Sequence, residues 1–186
     1  MKNVVIDAAS VYLGVTIDNP DDLSGIADKC IGLTRDSVSL TLKPNVREID
    51  FNGKLERKVK DTSRILGWEV SAECEALELT PQVLNGSLMT KVSTSSTKYD
   101  KYVPSNDLVY NDVVVVGTLM GSSNPIVAVI KNAYNAEGLN LETKDSDESV
   151  CKMSFQGHYK LGSNDAPCDF YMPKDGVVRK IKIDEM

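Results

Sequence analysis

The stretch LGWEVSAECEALELT, residues 66–80, constrains the fold more than any other part of the chain. Its residues alternate between two faces, which is the pattern of a half-buried β-strand. One face carries the apolar side chains Leu66, Trp68, Val70, Ala72, Cys74 and Ala76. The other face carries Gly67, Glu69, Ser71, Glu73 and Glu75. A helix would scatter the same apolar residues around its axis, so we predict a strand, with a bulge near residues 76–77 where the alternation slips.

Similar short runs recur along the chain and predict a mainly β fold. The candidate strands are residues 4–6, 11–15, 109–117, 126–131, 139–143 and 150–159, together with residues 38–51, which form one strand or a strand pair kinked at Pro44. Residues 170–172 form a last apolar patch. Four consecutive valines at 113–116 predict a strand that is buried on both faces. Thr80 followed by Pro81 predicts the start of one short flanking α-helix. These elements indicate a β-sandwich or a partly closed barrel, and 186 residues suit a single domain spanning 1–186.

The overall charge argues against a protein that grips nucleic acid. Lys and Arg number 21 against 27 Asp and Glu, which gives a formal net charge of −6. A chain of this sign repels the phosphate backbone rather than holding it. The sequence also has no apolar run long enough to span a bilayer, and Asp7 interrupts the place where the apolar core of a signal peptide would continue. We therefore expect assembly in the cytoplasm and no membrane insertion.

The residues that usually carry catalysis or metal binding do not form recognisable motifs. The four cysteines are far apart in sequence, which favours separate buried thiols, and the single histidine, His158, has no Cys or carboxylate motif beside it. The stretch GTLMGSS lacks the lysine of a phosphate-binding loop. Glu73 and Glu75 share one strand face and not the two sides of a cleft. The sequence predicts neither an enzyme nor a cofactor or metal site.

Two long polar segments break the strand pattern. Residues 52–64 form a basic stretch whose cations are Lys54, Arg57, Lys58, Lys60 and Arg64. Loops of this length in a small domain usually have a partner, although a solvated excursion is the alternative. Residues 89–107 are rich in Ser, Thr, Lys and Tyr and predict either a mobile loop or a loose hairpin. The segment 1–34 is interpreted as an N-terminal arm.

The order of these pieces resembles the major tail tube proteins of long-tailed bacteriophages. The resemblance lies in four stretches: TLKPNVREIDFNGKLERKVKDTSRI, LGWEVSAECEALELTPQVL, SNPIVAVIKNAYNAEGLNLETKDSDESV and CKMSFQGHYKLGSNDAPCDFYMP. Together they cover roughly residues 42–173, and the signal is their ordered agreement rather than any one motif. The long N-terminal arm and the polar segment 89–107 depart from the family pattern.

The resemblance implies a tail-tube-type β-sandwich with long assembly loops, a virion protein that forms hexameric rings stacked into a hollow tube. Such a tube is a conduit for genome ejection, so double-stranded DNA transits it without specific binding. The implied partners are other copies of the chain, a tape measure protein, a tail terminator and a tail chaperone. Tube proteins of secretion systems and tail-like bacteriocins are an alternative. A monomeric carbohydrate- or receptor-binding β-sandwich is another, although it would expose aromatic platforms, and Trp68 lies on the apolar face of its strand.

The resemblance also gives roles to three groups of residues. The loop 52–64 is expected to reach the neighbouring ring and to meet an acidic turn made by Asp145, Asp147 and Glu148. The polar strand face, with Glu69, Ser71, Glu73 and Glu75, is expected to line the lumen, where carboxylates repel DNA phosphates. On a lone sandwich the same acids would form an ordinary solvated face. Like charges at alternate positions need cross-strand relief, which Lys43 or Lys152 is expected to provide.

Overall fold

The structure is a computed structural model that describes residues 6–52, 57–119, 122–143, 145 and 148–174. Within these residues the chain is mainly β with one short α-helix, as the sequence predicts. The strands are β1 (Ile6–Leu13), β2 (Thr34–Glu48), β3 (Ser63–Ala76), β4 (Met89–Val92), β5 (Lys101–Pro104), β6 (Asn111–Leu119), β7 (Ile126–Asn135), β8 (Asn140–Glu142), β9 (Val150–Gly157) and β10 (Cys168–Tyr171). The helices are α1 (Pro81–Gly86) and a 3-10 turn at Ala27–Lys29.

One antiparallel sheet of eight strands folds over on itself to make two layers. Its strand order is β1-β6-β7-β9-β3-β2, with β10 beside β7 and β8 beside β9. The first half of β7 pairs with β6 and β10, whereas Tyr134 and Asn135 at its end pair with β9. Strand β7 therefore joins a layer of β1, β6 and β10 to a layer of β2, β3, β8 and β9. The sheet does not close into a barrel.

Asn132 lies where β7 passes from one layer to the other. Its φ is +48°, a left-handed conformation that Asn tolerates better than most residues. The Asn132 amide donates to Asp112 Oδ1 at 3.0 Å, and its side-chain Nδ2 donates to the His158 carbonyl at 3.3 Å. These two bonds stabilise the local conformation at the crossover.

The main core lies between the two layers. Strand β6 supplies Val113 and Val115, which pack with Ala72 of β3 and with Met153 and Phe155 of β9. Alternate residues of β6 and β7, Val114, Val127 and Val129, face the other way and pack under Ile17 and Ile26. The prediction that the four-valine strand is buried on both faces is confirmed for Val113, Val114 and Val115.

Part of the segment expected as an N-terminal arm belongs to this sheet. Strand β1 pairs antiparallel with β6, and Val11 is fully buried. The Ile31 amide donates to the Val11 carbonyl at 3.0 Å, so the chain returns to β1 after its excursion over the outer face of the layer. Residues 6–31 thus contribute strand β1, a segment that covers the outer face of the layer, and side chains of the core.

The predicted helix and the polar segment after it are both resolved into defined elements. Thr80 caps α1, because its Oγ1 accepts from the Val83 amide at 3.2 Å, and Val83 is fully buried. Segment 89–107 contains the hairpin β4–β5, the second of its two predicted forms. Helix α1 is too short to cross a membrane. No helix among the described residues is both long enough and apolar enough to do so.

The structure contradicts the bulge predicted in β3 and decides between the two forms predicted for β2. No bulge occurs at residues 76–77; β3 ends at Ala76, and the Leu77 amide donates to the Leu33 carbonyl at 2.9 Å. The register shifts instead between Arg35 and Ser39, where β2 contributes the extra residues, and between Asn45 and Val46, where β3 contributes one. Pro44 does not break β2, because this strand has β3 as its only neighbour in the described sheet and a proline is tolerated on such an edge.

Candidate assembly surfaces

Strands β2 and β3 form a hairpin that extends beyond the core. Cross-strand pairs Leu42 with Val70, Pro44 with Trp68 and Val46 with Ile65 lie on the face that turns toward the core. Val70 is buried, but beyond it the face is uncovered. We call these uncovered residues the apolar stripe: Leu42 (43% exposed), Pro44, Val46 (48%), Ile65 (55%) and Trp68 (36%).

The prediction that Leu66 and Trp68 are buried is therefore wrong. The alternation continues through Trp68, but the opposing layer of β1, β6 and β7 does not reach this part of the hairpin. Leu66 occupies the register shift and is 51% exposed. The Trp68 amide donates to the Tyr159 hydroxyl at 2.7 Å, so the chain after β9 crosses the strand here without covering it.

The face of β3 opposite the core carries the predicted acidic residues. Glu69, Ser71, Glu73 and Glu75 alternate with Val70, Ala72, Cys74 and Ala76, which are buried, so the acids point away from the core. We call Glu69, Glu73 and Glu75 the acidic row. Glu69 and Glu73 are exposed, and Ser71 and Glu75 are half-buried.

Lysines lie opposite both ends of the acidic row, as expected from the sequence. Lys43 is paired in register with Glu69, and its Nζ is 4.0 Å from Glu69 Oε2. Lys152 is paired in register with Glu75, but its Nζ bonds Glu142 Oε1 at 2.6 Å. The hydrogen bond to Glu142 raises the pKa of Lys152, and the charges of Glu142 and Glu75 act in the same direction.

On the described strands no cation is paired in register with the middle of the acidic row, although Arg35 of β2 is paired with the neighbouring Glu75. The cross-strand neighbours of Glu73 are Ser39 on β2 and Ser154 on β9. The next row toward the hairpin, at Ser71, has Thr41 and Gln156 as neighbours. The centre of this face is thus polar and negative.

The basic connection between β2 and β3 is shorter than predicted. Lys54 lies outside the described residues, and Arg57, Lys58 and Lys60 are exposed in the connection. Arg64 does not belong to the loop, because β3 begins at Ser63 and Arg64 is paired with Arg47 on β2. The ladder continues past the strands through the Ile49 amide, which donates to the Thr62 carbonyl at 2.8 Å.

The basic connection and the acidic turn lie at opposite ends of their layer. Strand β9 runs antiparallel to β3, with Cys151 beside Ala76 and Gly157 beside Val70. The turn before β9, with exposed Asp145 and Glu148, is therefore at the Ala76 end; Asp147 falls outside the described residues. The connection after β2 is beyond Ser63, at the far end of the same strand. Within one copy the two groups are not brought together.

The structure also places an aromatic group that the sequence reasoning missed. The His158 ring stacks on Tyr134 with centroids 5.0 Å apart, and Tyr110 meets both rings edge-on. These residues come from three separate segments, which the pairing of β7 with β6 at Asn111 and with β9 at Gln156 brings together. The nearby groove is lined by Thr41, Lys43, Trp68, Glu69, Gln156 and His158, among other residues.

The thiols and carboxylates do not form a reactive group in the described residues. Cys74 and Cys151 are buried and Cys30 and Cys168 half-buried, all as free thiols, which confirms burial for the first pair. Burial raises the pKa of Cys74 to about 12 and also raises the pKa of Cys151. Within the described part of the chain, no group of three or more His, Cys, Asp or Glu side chains is arranged to hold a metal ion.

Comparison with known proteins gives no further guide to the role of these surfaces. The chain matches no protein-family model and no curated protein sequence. The likeness to tail tube proteins therefore stays a prediction from the sequence.

Proposed function

We propose that this protein is a tail tube subunit, a structural virion protein whose copies form hexameric rings that stack into a hollow tube. The observation that carries the proposal is the β2–β3 hairpin, which extends past the core with an uncovered apolar stripe and a basic connection at its end. The resemblance in sequence supplies the identity of the tube. The hairpin supplies the surface through which copies of this chain would join.

The apolar stripe is a liability for a lone chain. The stripe lies on β2 and β3, and β2 has an unpaired edge in the described sheet. Trp68, Ile65 and Val46 are exposed together on it. Apolar faces next to open strand edges promote association, and natural proteins usually cover or interrupt them. In the proposed assembly a neighbouring copy covers the stripe, so the exposed surface becomes an interface.

The separation of charge along the layer supports stacking. Arg57, Lys58 and Lys60 lie at one end, and Asp145 and Glu148 lie at the other. A head-to-tail contact uses two different surfaces of the same chain, and repeating it produces a ring or a filament. Copies stacked along the direction of β3 would bring the basic end of one against the acidic end of the next.

The acidic row gives the lumen of the proposed tube its chemistry. Glu69, Glu73 and Glu75 face away from the core, and only the ends of the row have lysines opposite them. Repeated around a ring, such carboxylates would repel phosphates, so double-stranded DNA would move through without binding. A tape measure protein, a tail terminator and a tail chaperone are the further partners that this role implies. The same assembly in a secretion system or tail-like bacteriocin would carry no DNA.

Negative-stain microscopy of the purified chain tests the proposal. We expect rings or tubes, and we expect Lys58→Glu with Lys60→Glu to give shorter tubes that dissociate at lower salt. The matched control is Lys160→Glu with Lys174→Glu, which makes the same change of charge outside the basic connection. Dispersed monomers of the unmodified chain at high concentration would overturn the proposal. Tubes of normal length and salt resistance in the first variant would overturn the role of the basic connection.

A monomeric carbohydrate- or receptor-binding module is the second candidate, and one observation favours it. Trp68 is 36% exposed and Tyr159 is 39% exposed beside the groove that contains Gln156 and His158. Aromatic rings beside polar groups are a surface on which sugars can stack. Under this function the chain would stay monomeric and bind immobilised glycans, and Trp68→Ala would abolish binding without changing the oligomeric state.

A further inference from the structure

The hairpin β4–β5 projects from the fold as a sheet of its own. Its two strands pair with each other and with no other strand in the described chain. At its base, the Ser105 amide donates to the Leu88 carbonyl at 2.8 Å, and Leu88 has a φ of +59°. A two-stranded hairpin is only marginally stable alone in water, so its persistence needs a local explanation.

Side chains of the hairpin itself hold its tip in shape. Ser96 Oγ accepts from the amides of Lys98 and Tyr99, each at 3.1 Å, and Thr94 Oγ1 accepts from the Ser96 amide at 3.2 Å. Lys91 Nζ is 2.7 Å from Asp100 Oδ2 across the hairpin. Hydroxyl-to-amide bonds of this kind fix turns. A tip that is already ordered loses less conformational entropy when it binds a partner.

The ordered tip presents an aromatic ring between two cations. Tyr99 is 77% exposed, and Lys98 and Lys101 are exposed on either side of it. Asp100 is engaged by Lys91, and neither Lys98 nor Lys101 has an ion-pair partner among the described residues. Tyr is enriched in protein interfaces, because it buries a large area with few rotatable bonds. The tip has the composition of a contact element for an acidic surface.

The remainder of this chain is such a surface. Residues 43–69 and 89–104, the two projecting hairpins, contain ten Lys and Arg against six Asp and Glu. The rest of the chain contains 11 Lys and Arg against 21 Asp and Glu. Basic projections on an acidic body are complementary to other copies of the same chain.

The most uniformly acidic part of the body is the segment that covers the outer face of β6 and β7. This segment, residues 14–28, contains four aspartates and no Lys or Arg. Asp18, Asp21 and Asp22 are exposed, while Ile17 and Ile26 on either side are buried in the second core and fix the segment in place. The acidic row on β3 is a weaker candidate, because Lys43 and Lys152 already lie opposite its ends.

We infer that the tip of the β4–β5 hairpin docks on a second copy of this chain, with Tyr99, Lys98 and Lys101 against the segment that carries Asp18, Asp21 and Asp22. The inference rests on the proposed self-assembly. It gives a function to residues 89–107, the segment that departs from the family pattern. The receiving segment covers the layer opposite the acidic row, so this contact leaves the proposed lumen face open.

A charge-swap experiment on the full chain tests this contact. We expect Lys98→Glu with Lys101→Glu to raise the concentration needed for assembly at least about tenfold, as does loss of a close charge pair at an interface. Asp18→Lys with Asp21→Lys should do the same. Combining all four changes should restore assembly. Tyr99→Ala should weaken assembly without a change of charge, and Lys160→Glu with Lys174→Glu is the matched control. Sedimentation velocity measures assembly, and thermal unfolding of dilute monomer checks each fold.

The outcomes separate this inference from the proposed function. If the unmodified chain does not self-associate, both are overturned. If it assembles and the Lys98 and Lys101 variant assembles equally well, only the hairpin contact is overturned. If the Lys98 and Lys101 variant assembles less well and the variant with all four changes does not regain assembly, the segment that carries the aspartates is not the receiving surface. If the hairpin variants lowered the stability of the monomer but left assembly unchanged, the hairpin would serve only the fold of a single copy, and the inference would be overturned.

Discussion

The two halves of β3 carry apolar side chains on the same face, although the register shift at Leu66 interrupts the alternation, and they lie in different surroundings. From Val70 to Ala76 every second residue is buried between the two layers. From Ser63 to Glu69 the same strand leaves the sandwich, and Ile65 and Trp68 are exposed on the face that continues from the core. An alternating pattern thus fixes which side chains share a face, whereas the length of the opposing layer decides whether that face is covered. The uncovered half is the part of the strand available for assembly.

The largest contrast is expected when a charge is placed on the same face of each half. Ala72→Asp puts a carboxylate at a site that is 1% exposed, between Leu40 and Phe155 in register. The free energy of unfolding should fall by more than about 4 kcal/mol, because the charge has no partner there. Ile65→Asp, at a site that is 55% exposed, should change it by less than about 1 kcal/mol. Urea unfolding of dilute monomer measures both.

The exposed variant of this pair also reports on assembly. Ile65→Asp should leave the fold intact but prevent the association of copies, because it interrupts the apolar stripe. Equal destabilisation by the two substitutions would show that the distal half is packed in the monomer after all. Normal assembly of Ile65→Asp would show that the stripe is not an interface.

The same two halves explain how much of the molecule could be predicted from the sequence. Alternation located β3 and β9, the Thr80 and Pro81 pair located α1, and the burial predicted for the four-valine strand is confirmed for Val113, Val114 and Val115. All of these depend on contacts within a few residues or on one pattern of burial. The exposure of Trp68 could not be predicted, because it depends on where a layer made by β1 and β6 ends.

On the outward face, too, the sequence predicted cross-strand partners but not the features that depend on distant parts of the fold. The sequence correctly identified Lys43 and Lys152 as residues opposite the acidic row, since strand parity restricts the choice of partners. It did not place Arg64 in β3, and it did not bring Tyr110, Tyr134 and His158 together. The aromatic group depends on the pairing of β7 with both β6 and β9, and no periodic signal in the sequence reports which strands pair.

Two strand glycines give the next contrast. A Cβ on Gly157 would lie 2.7 Å from Ile130 Cγ2 and 3.2 Å from the Pro167 carbonyl oxygen. Gly157→Ala should therefore cost about 1–3 kcal/mol through overpacking. A Cβ on Gly67, in the distal half of β3, would meet the Tyr159 side chain, with the hydroxyl oxygen at 3.3 Å and the nearest ring atoms at 3.7 Å. Because that ring is partly exposed, Gly67→Ala should change stability by less than about 0.5 kcal/mol. If Gly67→Ala lowered the free energy of unfolding as much as Gly157→Ala does, Tyr159 would be holding the hairpin rigidly.

A buried thiol makes the covered half sensitive to alkaline pH. Burial raises the pKa of Cys74 from its ordinary value of 9.0 to about 12. The unfolded thiol ionises first, so its contribution to stability is complete below pH 9 and is lost as the pH rises from 9 toward 12. Between pH 8 and pH 10, stability should fall by about 1 kcal/mol more in the unmodified chain than in Cys74→Ala. The same fall should remain in Trp68→Ala, which alters only the uncovered half. Identical alkaline profiles for the unmodified chain and Cys74→Ala would contradict this assignment.

The smallest contrast lies on the outward face, where lysines oppose the two ends of the acidic row. Lys43 and Glu69 are largely exposed and 4.0 Å apart, whereas Lys152 and Glu142 are about 40% exposed and bonded at 2.6 Å. Exposed ion pairs contribute little, since water and salt screen them. Lys152→Met should therefore lower the urea midpoint slightly, by less than Gly157→Ala does, and Lys43→Met should leave it unchanged. At about 1 M salt the two variants should become indistinguishable. If Lys43→Met proved the more harmful, the distal end of the hairpin would depend on its charges in the monomer, and the case for keeping that end free for a neighbouring copy would weaken.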